Sequence, residues 1–150
     1  MPEKQTLKRA AQDKREGKSP STQAGEFVHE EIEHIREGKH GARSAKQAIA
    51  IGLSKARRAG VELPPPKPGT TSEATRKQAT SELKRAKSGS RSKAAKSTKR
   101  SRAMSSALKR EGASAASKTA LSRHAKTAAK RRSAASRSQS AKKAAATRKK

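Results

Sequence analysis

The sequence predicts an all-α N-terminal helical hairpin of marginal stability, followed by a low-complexity basic tail that is disordered or transiently helical. Charge and apolar side chains are both unevenly distributed. Residues 1–63 carry 13 basic and 9 acidic side chains, whereas residues 64–150 carry 26 basic and 3 acidic. Eleven of the 15 large apolar residues, counting methionine, lie in the first part. Between them runs Pro64-Pro65-Pro66-Lys67-Pro68-Gly69, and successive prolines end a helix and favour extended polyproline II. The division is therefore a helical unit over 1–63, a proline-rich linker over 64–69 and a basic tail over 70–150.

In the first part, Pro2 suits a first helical turn, and a polar helix runs from there to Glu16, stopped by Gly17 with Pro20 beyond. The second helix begins within Ser19–Thr22 and ends at Glu37-Gly38. Its Ala24, Val28, Ile32 and Ile35 follow the helical period, with Phe27 beside them. The third starts at Ser44, where Ser44 and Gln47 have capping-box spacing. It places Ala45, Ala48, Ile49, Leu53 and Ala56 on one side and stops at Gly60 before Val61 and Pro64. Eleven large apolar side chains are too few to offset the ordering entropy of some 60 residues comfortably. Such a unit is expected to be dynamic and to self-associate through its helices.

In the second part, Ala, Ser, Thr, Lys and Arg fill 70 of 87 positions, and only Leu83, Met104, Leu108 and Leu121 are large and apolar. Ala and Lys favour helix, so helical stretches are expected near 73–87, 99–111 and 115–135, interrupted at Gly69, Gly89 and Gly112. Like-charge repulsion should keep them partly melted until a polyanion binds.

Composition excludes several classes of function. There is no Cys, Trp or Tyr and a single Phe27. A disulfide scaffold, a thiolate metal site, a Cys nucleophile and aromatic platforms for stacking bases are thereby ruled out. No apolar run approaches the roughly 20 residues that span a bilayer, and the N-terminus lacks a signal peptide's apolar core. The expectation is a cytoplasmic, nucleoid-located protein with no membrane partner. A chain this poor in core has no rigid cavity for catalysis, so no enzyme, cofactor or catalytic residue is expected.

The motifs read mostly as local structure. Arg15-Glu16-Gly17-Lys18 recurs as Arg36-Glu37-Gly38-Lys39 and is echoed by Arg110-Glu111-Gly112, each a helix end with a glycine cap. His29, Glu30, Glu33 and His34 miss the zinc-helix pattern, because the histidines are five apart. Glu26-x-x-His29 and Glu31-x-x-His34 have di-iron spacing but lie on one short helix. No metal site is expected; Glu26, Glu30, Glu33 and Glu37 read as a solvated acidic face, with docking of a basic segment as the alternative. The loop Gly38-Lys39-His40-Gly41-Ala42-Arg43-Ser44 reads first as a capping turn and second as a phosphate seat at a helix N-terminus.

The basic residues carry the functional signal, since Lys and Arg neutralise phosphates and release counterions whatever the base sequence. In the first part the candidates are Lys39, Arg43, Ser44, Lys46, Lys55, Arg57 and Arg58. In the second they are Lys84, Arg85, Lys99, Arg100, Arg102, Lys109 and Arg110. Arg123, Lys126, Lys130, Arg131, Arg132, Lys142 and Lys143 complete the set.

Two stretches also resemble a known group. Residues 21–60 contain Ser21-Thr22-Gln23-Ala24-Gly25-Glu26-Phe27-Val28, the Arg36-Glu37-Gly38-Lys39-His40-Gly41 loop and Gly52-Leu53-Ser54-Lys55-Ala56-Arg57-Arg58. With Arg100-Ser101-Arg102-Ala103-Met104 onward to Arg132, they resemble a family of small basic bacterial proteins of unknown function. Members are sometimes titled plasmid-stabilisation or DNA-binding proteins. Lys93-Ala94-Ala95-Lys96 and Ala141-Lys142-Lys143-Ala144 are similar to histone-H1-like tails. The resemblance implies a bacterial source and supplies no catalytic residues. The function expected is non-sequence-specific DNA binding by a histone-H1-like nucleoid protein that prefers duplex DNA. An RNA- or ribosome-associated protein and a hydrophilic stress protein are the alternatives.

Overall fold

The computed structural model describes residues 2–88 and 98–148, and the regular elements among them are all helical. Its α-helices are α1 Lys4–Arg15, α2 Pro20–Arg36, α3 Ala45–Arg58, α4 Glu73–Lys87, α5 Thr98–Arg110, α6 Lys118–Lys130 and α7 Ala134–Arg148. A 3₁₀ turn, Ala113–Ala116, separates α5 from α6. Gly89 and Lys93-Ala94-Ala95-Lys96 lie outside the described residues.

Helix ends follow the sequence closely. Ser19 and Ser44 cap α2 and α3 by accepting from the amides of Thr22 and Gln47. The Gln47 side chain bonds the Arg43 amide at 2.8 Å rather than that of Ser44, so the capping box closes one residue early. Gly17, Gly38 and Gly60 all have positive φ. At each, the following amide reaches back to the helix: Lys18 to Asp13, Lys39 to His34 and Val61 to Ala56. Gly112 departs from the repeat. It has an extended backbone (φ −80°, ψ 168°) and leads into the 3₁₀ turn. Pro2 precedes α1, whose N-cap is Glu3.

The buried stripe of α2 is Ala24, Phe27, Glu31 and Ile35, with Val28 and Ile32 only half-buried. Against it α1 turns Thr6, Ala10 and Asp13, leaving Leu7 exposed. From α3 come Ala45, Ala48, Gly52 and Ala56. A Cβ on Gly52 would lie 2.7 Å from the Val28 Cα, so the glycine is what lets the two helix backbones meet. After α3, Val61 and Leu63 return to the core formed by Ala10, Ala24, Phe27 and Ala56.

The basic half is not the disordered tail that its composition suggests. The prolines end in a turn, where the Thr70 amide bonds the Lys67 carbonyl at 3.2 Å across Pro68 and positive-φ Gly69. α4 folds back onto α3, buries Ala79 and Glu82, and receives the Ser54 hydroxyl on Glu82 at 2.5 Å. Ala115 and Ala116 form a second core with Ile35, Ala42 and Ala48. Backbone bonds fix this joint: the Gly41 amide to Leu108 at 2.9 Å and the Ala42 amide to Gly112 at 3.3 Å. Arg36 adds a bond to the Ala116 carbonyl at 3.1 Å.

Small side chains explain why the expectation fails. Alanine contributes little apolar area, but it lets backbones approach closely enough to hydrogen-bond, and Ser72 and Ser117 cap α4 and α6 as strong N-caps do. The helices expected near 73–87, 99–111 and 115–135 therefore form as ordered elements. The last begins within the 3₁₀ turn and is α6 as far as Lys130, and after a break at 131–133 α7 adds a helix that was not anticipated. Nor is the N-terminal unit a free-standing hairpin: α1, α4 and the 3₁₀ turn all pack on α2 or α3.

Candidate nucleic-acid interface

Carboxylates and cations are sorted by the fold. All twelve acidic side chains have a basic or hydroxyl partner among the described residues. Glu3 meets His34 and Lys39, and Lys18 bridges Asp13 and Glu16. Arg9, Arg36 and Lys39 answer Glu26, Glu33 and Glu37. Lys55 serves both Glu30 and Glu31. Beyond α3, Glu62 meets Lys87, Glu73 meets Arg76 and Glu111 meets Arg43, while Glu82 takes the Ser54 hydroxyl.

The acidic face of α2 is thus not simply solvated. Glu30 and Glu31 are buried, at 5% and 0% exposure. Burial alone would raise the Glu30 carboxyl, but bonds from Thr6, the Glu3 amide and Lys55 outweigh it and hold Glu30 below its ordinary value. The cations that dock on this face come from α1, α3 and the loop after α2.

The candidate basic residues separate into three groups. Lys55 and Arg57 face inward. The Lys55 side chain is 16% exposed, and buried Arg57 donates to the Leu63 carbonyl near Glu82, with burial lowering its pKa. Lys39, Arg43 and Ser44 serve the loop. Lys39 is held between Glu3 and Glu37, which raise its pKa, Arg43 lies 3.7 Å from Glu111, and Ser44 is the α3 cap. The loop amides of Gly41, Ala42 and Arg43 all have internal acceptors. The loop is a turn that docks the second half, and these three amides are engaged in holding it.

The third group faces solvent. Lys46, Arg58, Lys84, Arg85, Lys99, Arg102, Lys109 and Arg110 are exposed, as are Arg123, Lys126, Lys130, Arg131, Arg132, Lys142 and Lys143. Arg100 lies on α5. From residue 98 to 148 there are fifteen basic residues and one acid, Glu111. Arg100 apart, no basic side chain of α5, α6 or α7 among the described residues is within ion-pair distance of a carboxylate. On α6, Lys118, Ser122, Lys126 and Lys130 recur every four residues with Arg123 alongside, lining one open face. At a rise of 1.5 Å per residue this stripe is about 18 Å long.

Residues 9–67 match a family of unknown function, DUF6496. The match covers most of α1, all of α2 and α3 and most of the proline segment. It ends before α4, so the resemblance expected for 100–132 lies outside it. No curated protein and no solved structure matches the chain. Among the described residues no helix is long and apolar enough to cross a membrane.

Proposed function

We propose that this is a non-enzymatic, nucleoid-associated protein that coats and bridges duplex DNA without reading its sequence. The observation that carries this reading is the segregation of charge. The acids have partners within the fold, while among the described side chains the basic groups of α5, α6 and α7 have no carboxylate within ion-pair distance. Such an array neutralises phosphates and is favoured by counterion release.

Sequence-independence follows from what those helices lack. Base reading needs a defined set of side chains in a groove, with Asn or Gln the usual partner of adenine. The chain has no Asn, and Gln139 on α7 is the one Gln of these three helices. The α1–α3 unit supplies a folded platform from which the basic helices are displayed.

Titration of the full chain against two duplexes of equal length and unrelated sequence tests this. Equal affinities that fall together as salt rises support it, with structured RNA competing less well than duplex. A strong preference for one duplex, or for the RNA, would replace this reading with a sequence-specific or RNA-binding one.

A further inference from the structure

The C-terminal half of α2 and the loop after it gather a second kind of chemistry. One donor atom from each of Glu31, His34 and His40 lies within 4.8 Å of the other two. Glu31 Oε1 is 3.2 Å from His40 Nε2, close to the edge of about 3.3 Å in a tetrahedron whose donors lie about 2.0–2.1 Å from a zinc ion. The Glu31 side chain is 1% exposed, and neither of its oxygens receives a well-directed hydrogen bond. Lys55 Nζ stands 2.5 Å from Oε2, which leaves Oε1 turned to the histidine.

Both imidazoles are held as liganding histidines are. His40 Nδ1 is 3.2 Å from the Gly41 carbonyl. With Nδ1 turned to that carbonyl, Nε2 is the ring atom that faces Glu31. His34 Nε2 is 2.9 Å from Glu3 Oε1, an outer carboxylate of the kind that orients a ligand ring. Charge points the same way. Glu30 and Glu31 are two buried carboxylates sharing one ammonium, Lys55, and a buried charge left uncompensated is costly.

We propose that Glu31, His34 and His40 bind a divalent cation of the zinc class, with water in the fourth position. The donors are nitrogen and oxygen without thiolate, a set suited to zinc and to cobalt as its spectroscopic substitute. The cation staples α2 to the loop whose Gly41 and Ala42 hold the C-terminal half, so loading stiffens the joint between the two halves.

The test uses the full, untagged chain titrated with Co²⁺ and Zn²⁺. One equivalent of Co²⁺ should give the intense visible bands of a tetrahedral site, displaced by Zn²⁺, and Zn²⁺ should raise the melting temperature. Glu3→Ala should weaken binding about 10–100-fold by freeing the His34 ring. His40→Gln, which keeps a polar side chain in the loop, should abolish the bands while circular dichroism remains unchanged. The double variant His29→Ala/His124→Ala should bind as the parent does. The proposal is overturned by a folded parent that takes up neither metal saturably. It is equally overturned if uptake survives in His34→Ala/His40→Gln, or is lost in the His29/His124 control.

Discussion

The Gly41 amide donates to the Leu108 carbonyl over 2.9 Å, and this bond joins the α2–α3 loop to the last turn of α5. Space at the joint is fully used. A Cβ built on Gly41 would lie 1.8 Å from the Glu111 carbonyl oxygen and 2.9 Å from that of Gly112. Both are backbone atoms, so no side-chain rotation relieves the clash. The basic half is held by backbone contact, and glycine is the condition for it.

Gly41→Ala should therefore release the joint while leaving α1–α3 intact. Trypsin should cut faster after Lys109 and Arg110, and the amides of Ala42 and Ser117 should lose hydrogen-exchange protection. Overpacking of this kind costs about 1–3 kcal/mol. Unaltered cleavage and exchange would show that the contact is not needed for docking.

Gly52 and Gly25 make a matched pair on facing helices. Gly52→Ala pushes a methyl onto the Val28 backbone at 2.7 Å and should destabilise the α2–α3 pair by about 1–3 kcal/mol. Gly25 sits within α2 with nothing within 4 Å of an added Cβ. Gly25→Ala should stabilise by about 0.5–1 kcal/mol through helix propensity alone. Urea denaturation of the two variants checks the opposite signs.

Acid should weaken the fold through its paired carboxylates. Hydrogen bonds from His34 and Lys39 lower the Glu3 carboxyl, and Glu30 is lowered despite its burial. A group lowered in the folded state stabilises above its unfolded value of 4.5 and loses that contribution as pH falls through its depressed value. The melting temperature should drop between about pH 5 and about pH 3. Glu30→Gln should lower it at neutral pH and flatten that acid limb. A midpoint indifferent to pH over this range would contradict the ion-pair account.

The ends of the helices were legible in the sequence, because caps are local. Gly17, Gly38, Gly60 and Ser44 each act within about five residues of themselves. Docking of the second half was not legible, because its signal is the absence of a side chain at Gly41 and single methyl groups at Ala115 and Ala116. Burial of Glu31 could have been read. It lies four residues from both Phe27 and Ile35, on the same stripe, and its partner Lys55 flanks the buried face of α3. The solvated-face reading takes Glu26, Glu30, Glu33 and Glu37 as one face, of which Glu30 turns inward beside Glu31.

The claim that the exposed basic helices bind DNA is tested most directly by two full-chain variants that lose the same charge. One replaces Lys118, Arg123, Lys126 and Lys130 on α6 with Gln, and the other replaces Lys4, Lys8, Lys14 and Arg15, all exposed on α1. The quantity to measure is the slope of log affinity for duplex DNA against log salt concentration. The account predicts that the α6 variant loses about 0.9 from the slope for each phosphate contact removed, while the α1 variant changes little. Equal losses in the two variants, or a parent whose affinity ignores salt, would contradict it.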